Sequence, residues 1–87
     1  MLPTGLDLDH GKQLYNTLCV ICHQAGVDGA PKLGDRLAWS QRLAKGFNTL
    51  VEHATKGYKG MPPKGGHVDI PNEEVASAVG YMVSQVQ

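Results

Sequence analysis

The residues that most constrain this chain are Cys19-Val20-Ile21-Cys22-His23, which hold both of its cysteines within 87 residues. Cysteines three apart on a helical turn share one face, and a histidine directly after them can swing beneath whatever that face holds. The arrangement suits covalent attachment of a haem. Each thiol adds across one vinyl group at the ring edge, and the His23 imidazole then reaches the iron. Two other chemistries use closely spaced cysteines. A thioredoxin-type pair sits at a strand-to-helix junction, and no strand signal accompanies this one. A zinc site takes four ligands; no second cysteine pair exists, and His10, His53 and His67 lack finger-like spacing.

Such an anchor fits a chain of this length. Small domains bury too little apolar surface to be comfortably stable alone, so they recruit disulfides, metals or large cofactors. Two cysteines allow one bridge at most, and the aromatic residues are Tyr15, Trp39, Phe47, Tyr58 and Tyr81 alone. A buried haem would give helices a broad apolar surface to pack around.

Helical periodicity dominates, with glycine-rich loops between the segments and no sustained alternation of the kind a strand needs. Asp9 is placed to cap a first helix bearing Leu14, Tyr15 and Leu18 on one face. Gly26 to Gly34 reads as loop. Asp35 is placed to cap a short helix carrying Leu37, Trp39, Arg42 and Leu43, closed by Gly46. Thr49 and Glu52 have capping-box spacing for a helix from Leu50 to Lys56, with Gly57 just beyond. A last helix is expected from Asn72, where Glu73 and Glu74 suit the positive end of the dipole, with Val75, Val79, Met82 and Val86 on its buried face. The expected fold is all-α, four or so helices around one haem, in a single domain spanning residues 1–87.

Charge narrows the function classes. Eight acidic residues balance eight basic ones, and the lysines are spread from Lys12 to Lys64 without a run, which argues against nucleic acid or a polybasic membrane patch. No apolar stretch approaches the ~20 residues of a membrane span. The start, Met1-Leu2-Pro3-Thr4-Gly5, has no basic region followed by an apolar run, so no signal peptide is expected in this chain. It reads as a mature form with an added Met1 or as a segment of something longer.

With His23 on one side of the iron, the other side is open to Met61, Met82, Met1, His10, His53 or His67. Met82 falls on an apolar helix face, where methionine is commonly core filler. Met61 lies in Lys59-Gly60-Met61-Pro62-Pro63-Lys64-Gly65-Gly66, where glycines let backbone pass close to a flat ring and each proline extends the residue before it. Such a loop would hold the sulfur stiffly. A thioether favours ferrous iron, and filling both axial positions leaves oxygen or peroxide no place to bind, which is the case for a carrier rather than an enzyme.

Taken together, the haem motif, Gly29-Ala30-Pro31-Lys32, Trp39 with Arg42, and Met61 to Gly66 resemble a class I monohaem cytochrome c, most closely the short bacterial cytochrome c-five group. The resemblance covers nearly the whole chain. It implies a first and last helix that cross, at positions matching Gly11, Tyr15 and Tyr81. It implies a Pro31 carbonyl that accepts the hydrogen bond of the proximal imidazole, fixing the ring and raising its basicity. It also implies Trp39 and Arg42 near the propionates, with their N–H groups as donors to the carboxylate oxygens. The group often carries another cysteine pair just after the methionine loop. Here that stretch is Gly66-His67-Val68-Asp69-Ile70-Pro71, so the joint is looser unless Ile70 and Pro71 stiffen it.

The function so implied is electron transfer by a soluble, monomeric, periplasmic carrier with one haem c held by two thioether bonds. It would shuttle single electrons between a donor and an acceptor protein of a bacterial respiratory or related chain. Lys12, Lys32 and Lys64 are candidates for steering acidic partners. Two other readings stand beside it: the same module as part of a multihaem or membrane-tethered oxidoreductase, and a haem enzyme or gas sensor with a labile distal ligand.

Overall fold

The computed structural model describes residues 5–23, 26, 31–58, 61–67 and 69–86, with Ile21 and Cys22 described by their backbone alone. Of the residues singled out in the sequence, Met1, Gly29, Ala30, Lys59, Gly60 and Val68 lie outside the described residues, as does the Cys22 side chain. The architecture is the expected all-α one. Helix α1 (Leu8–Leu14) runs through a wider π-helical turn (Tyr15–Cys19) into α2 (Val20–His23). Then come α3 (Arg36–Leu43), α4 (Phe47–Lys56), a 3₁₀ turn (Pro63–Gly66) and α5 (Asn72–Ser84). Among the described residues the sole sheet-like feature is an isolated antiparallel bridge between Tyr58 and Met61.

The helix ends show which local signals prevailed. Asp35 caps α3 as expected, its carboxylate accepting the Ala38 N–H at 3.1 Å. Helix α1, however, is capped by Asp7, which accepts the His10 N–H at 3.0 Å, while Asp9 sits inside the first turn. A capping residue must be extended, and Asp7 is, at φ −88° and ψ 91°. The capping box of Thr49 and Glu52 does not form, because α4 already starts at Phe47 behind Gly46 at φ +91°. Both residues are therefore inside the helix, where Glu52 lies 3.5 Å from Lys56 one turn on. Gly57, at φ +89°, ends α4 in a backbone region that side-chain-bearing residues avoid.

Helices α1 and α5 cross at small residues. A Cβ added at Gly11 would run into the Ser77 carbonyl and come within 3.3 Å of the Ala78 nitrogen. Tyr15 and Tyr81 flank the crossing with ring centroids 5.6 Å apart and planes tilted by 50°, and His10 Nε2 lies 3.0 Å from Glu74 Oε1. All four positions expected on the buried face of the last helix are buried, with Val75, Val79 and Met82 on α5 and Val86 just beyond its end at Ser84, and Val83 beside them is fully enclosed. Leu37 of α3, by contrast, is 87% exposed. Two residues before the buried Trp39, it lies about 200° round the helix, on the solvent side.

The crossing yields a test. Gly11→Ala forces backbone apart across the crossing and should cost about 1–3 kcal/mol. Denaturant unfolding of the holoprotein would show a lower midpoint at unchanged slope.

Candidate functional site

His23 ends α2 with its side chain buried, and residues 31–33 lie against it. Its Nδ1–H donates to the Pro31 carbonyl at 2.8 Å, and its own carbonyl accepts the Leu33 N–H at 2.9 Å. A carbonyl can only accept, so this bond requires the proton on Nδ1 and leaves Nε2 with its lone pair. Burial pushes the His23 pKa below the usual histidine range, the Pro31 bond opposes that shift, and the Arg42 charge adds to it. A neutral imidazole with Nε2 unprotonated is the form that binds a metal.

The next carbonyl, Lys32, carries α3. It accepts the Asp35 N–H at 3.1 Å and the Trp39 indole N–H at 2.9 Å. Trp39 in turn lies against the His23 ring, with centroids 6.2 Å apart and planes 26° from parallel. This differs from the expectation that the Trp39 N–H faces a propionate. An indole has one N–H, and here a backbone acceptor takes it. One Arg42 nitrogen likewise donates to the Ala38 carbonyl at 2.6 Å, one turn back on its own helix.

The structure also holds an apolar cleft, open to solvent. Cys19 lines it together with Leu14 and Leu18; Met61, Lys64 and Gly65 face it from the loop; Ile70, Val75, Val79 and Met82 complete the wall. The structure thus brings Cys19 and Met61 to one cleft, while His23, Pro31 and Trp39 form a second cluster joined to it through α2. Met82 also reaches the cleft and is buried as part of the α5 core. His10 is engaged with Glu74, and His53 is stacked on Tyr58. An apolar cleft lined by Cys19 and Met61, with a neutral imidazole four residues further along the same helical run, has the donor chemistry that suits a haem.

Lys64 is not an outward charge. Its amine donates to the Ile70 carbonyl, and its backbone takes the left-handed conformation at φ 53°. Lys12 and Lys32 are exposed. Ile70 was expected to stiffen the joint after this loop; its link to Lys64 runs through a backbone carbonyl, which the sequence does not reveal.

The chain is similar to known proteins over most of its length. The family described as "Cytochrome C oxidase, cbb3-type, subunit III" matches residues 6–82. Cytochrome c-555 of Chlorobaculum tepidum is 48% identical over 83 residues, covering 91% of this chain and 77% of its own. Cytochrome c5 of Ectopseudomonas mendocina is 41% identical over 66 residues, covering 74% of this chain and 76% of its own. Among solved structures, a chain from an electron transfer complex of nitrite reductase with cytochrome c superposes with a TM-score of 0.84 at 38% identity, over 100% of both chains.

The Trp39 geometry makes a prediction. Trp39→Phe removes the donor to Lys32 but leaves that carbonyl bonded to Asp35, so the loss should be about 1–2 kcal/mol. Thermal unfolding should begin several degrees lower, while the reduction potential stays unchanged. A propionate donor would instead move the potential.

Proposed function

The chain belongs to the small class I monohaem c-type cytochromes, and from that premise we propose that it is an electron carrier whose iron is held between His23 and Met61. Electron transfer and one covalently attached haem c follow from the family. The ligand set is our reading. The observation that carries it is the placement of Met61 and Cys19 on one apolar cleft, together with a His23 imidazole whose Nδ1 is committed to Pro31. The haem supplies the one-electron iron couple.

The chain's own residues supply the rest. Cys19 and Cys22 form the two thioether bonds. The Pro31 carbonyl fixes the His23 ring plane and increases its basicity as a ligand. Leu14, Leu18, Val75 and Val79 exclude water, which disfavours the more highly charged oxidised form and, with a thioether ligand, raises the potential. Arg42 is read as lying near a propionate, and Trp39 as supporting His23 through Lys32. With His23 and Met61 both holding the iron, oxygen and peroxide would find no place to bind, which is the case for a carrier rather than an enzyme.

Residues 1–87 are read as one such domain, monomeric, working in the bacterial periplasm within a respiratory or related chain. The span of 77% and 76% of two relatives' own lengths supports the reading as a carrier domain. No helix among the described residues is long and apolar enough to cross a membrane. Likeness to a cytochrome c found in complex with a reductase supports transient docking to redox enzymes.

Two experiments test this. The oxidised protein should show a methionine–iron charge-transfer band that Met61→Ala abolishes and Met82→Ala keeps, and cyanide should bind rapidly to Met61→Ala alone. A band that survives Met61→Ala would refute the ligand assignment. In the second, Lys12→Glu with Lys32→Glu should slow reduction by an acidic partner several-fold at low salt, the difference fading as ionic strength rises.

A further inference from the structure

The methionine loop is gripped from one side by a feature that neither the fold nor haem attachment requires. Tyr58 and Met61 exchange both backbone bonds: the Tyr58 N–H donates to the Met61 carbonyl at 3.0 Å, and the Met61 N–H to the Tyr58 carbonyl at 2.9 Å. The Tyr58 ring, although 39% of the residue is exposed, lies parallel to His53 of α4, with centroids 3.8 Å apart and planes within 4°. Lys45, between α3 and α4, places its amine 4.9 Å from the ring centroid and donates to the Tyr58 hydroxyl at 3.3 Å. Gly57 lets this happen. A Cβ there would come within 3.1 Å of the Met61 carbonyl and of Pro63.

Resting on the reading that Met61 binds iron, we propose that Tyr58 is a positioning residue for that ligand. Its ring, docked on His53 and Lys45, fixes the backbone of Met61 to the end of α4 and so holds the thioether against displacement. An exposed tyrosine on a flexible loop would lose its rotational freedom for little return. Here the order it gives up is passed to Met61 through two backbone bonds, with no water needed between them. Exposed aromatic stacking and a cation over a ring are each modest contributions, and together they set how readily the loop opens.

Imidazole, which competes with methionine for oxidised iron, measures that opening in the holoprotein. Tyr58→Ala should bind imidazole about tenfold more tightly than the parent, and its methionine–iron band should be lost at lower pH. Tyr58→Phe keeps the stack and the backbone bridge, and should stay within about threefold of the parent. Val86→Ala, a buried change away from the cleft, controls for general destabilisation. It should lower the unfolding midpoint without changing imidazole affinity. Parent-like imidazole binding in Tyr58→Ala, beside a Met61→Ala variant that has lost the band, overturns the positioning role alone. An equal gain in Val86→Ala overturns it too. Retention of the band in Met61→Ala removes the ligand reading on which it rests.

Discussion

The hydrogen bond from His23 Nδ1–H to the Pro31 carbonyl settles which imidazole nitrogen keeps its lone pair, and the structure on that side of the motif is arranged around it. Because Pro31 must reach the ring, residues 31–33 are drawn against the end of α2, where Leu33 closes a second bond on the His23 carbonyl. That leaves the Lys32 carbonyl pointing at α3, where it takes the Trp39 indole. Trp39 then covers the His23 ring. Three successive backbone acceptors, on Pro31, His23 and Lys32, thus order the ring, residues 31–33 and a helix. Burial acts in the same direction, since desolvation disfavours the protonated imidazole that could not bind a metal.

The opposite wall depends on the helices. Gly11 lets α1 approach α5 closely enough that Leu14, Leu18 and Cys19 face Val75, Val79 and Met82 across one cleft. The π turn at Tyr15–Cys19 matters here as well. An extra residue per turn displaces the cysteine motif around the helix axis relative to the regular period of α1. Within it, the Thr17 hydroxyl bonds the Gln13 carbonyl at 2.9 Å, an alternative partner that loosens the normal ladder.

What could be read in the sequence divides along physical lines. Cys19, Cys22 and His23 were legible because covalent chemistry dictates their spacing, and the buried face of α5 because one helix period runs through Val75 to Val86. The all-α class followed from the same periodicity. The α1 cap was misplaced from Asp7 to Asp9, since either carboxylate satisfies the sequence pattern and only the extended backbone at Asp7 decides between them. The Lys32 carbonyl that takes the Trp39 indole N–H was not legible for a related reason: backbone carbonyls accept hydrogen bonds yet leave no mark in the sequence. The Tyr58–Met61 bridge and the Lys64–Ile70 contact were invisible on the same ground.

The stretch without the extra cysteine pair now has a physical account. A disulfide there would close a short loop, and closing a short loop removes comparatively little entropy from the unfolded chain. Lys64 provides a non-covalent tie to the Ile70 carbonyl, and the His67 N–H bonds back to the Lys64 carbonyl at 3.0 Å. Against this stands the left-handed backbone of Lys64, which for a residue with a side chain costs about 1–2 kcal/mol, close to what one hydrogen bond returns. This end of the loop is therefore held in shape without being strongly stabilised. The firmer anchorage lies at the other end, where Gly57 and Tyr58 bind the loop to α4, and it is there that the position of Met61 is decided.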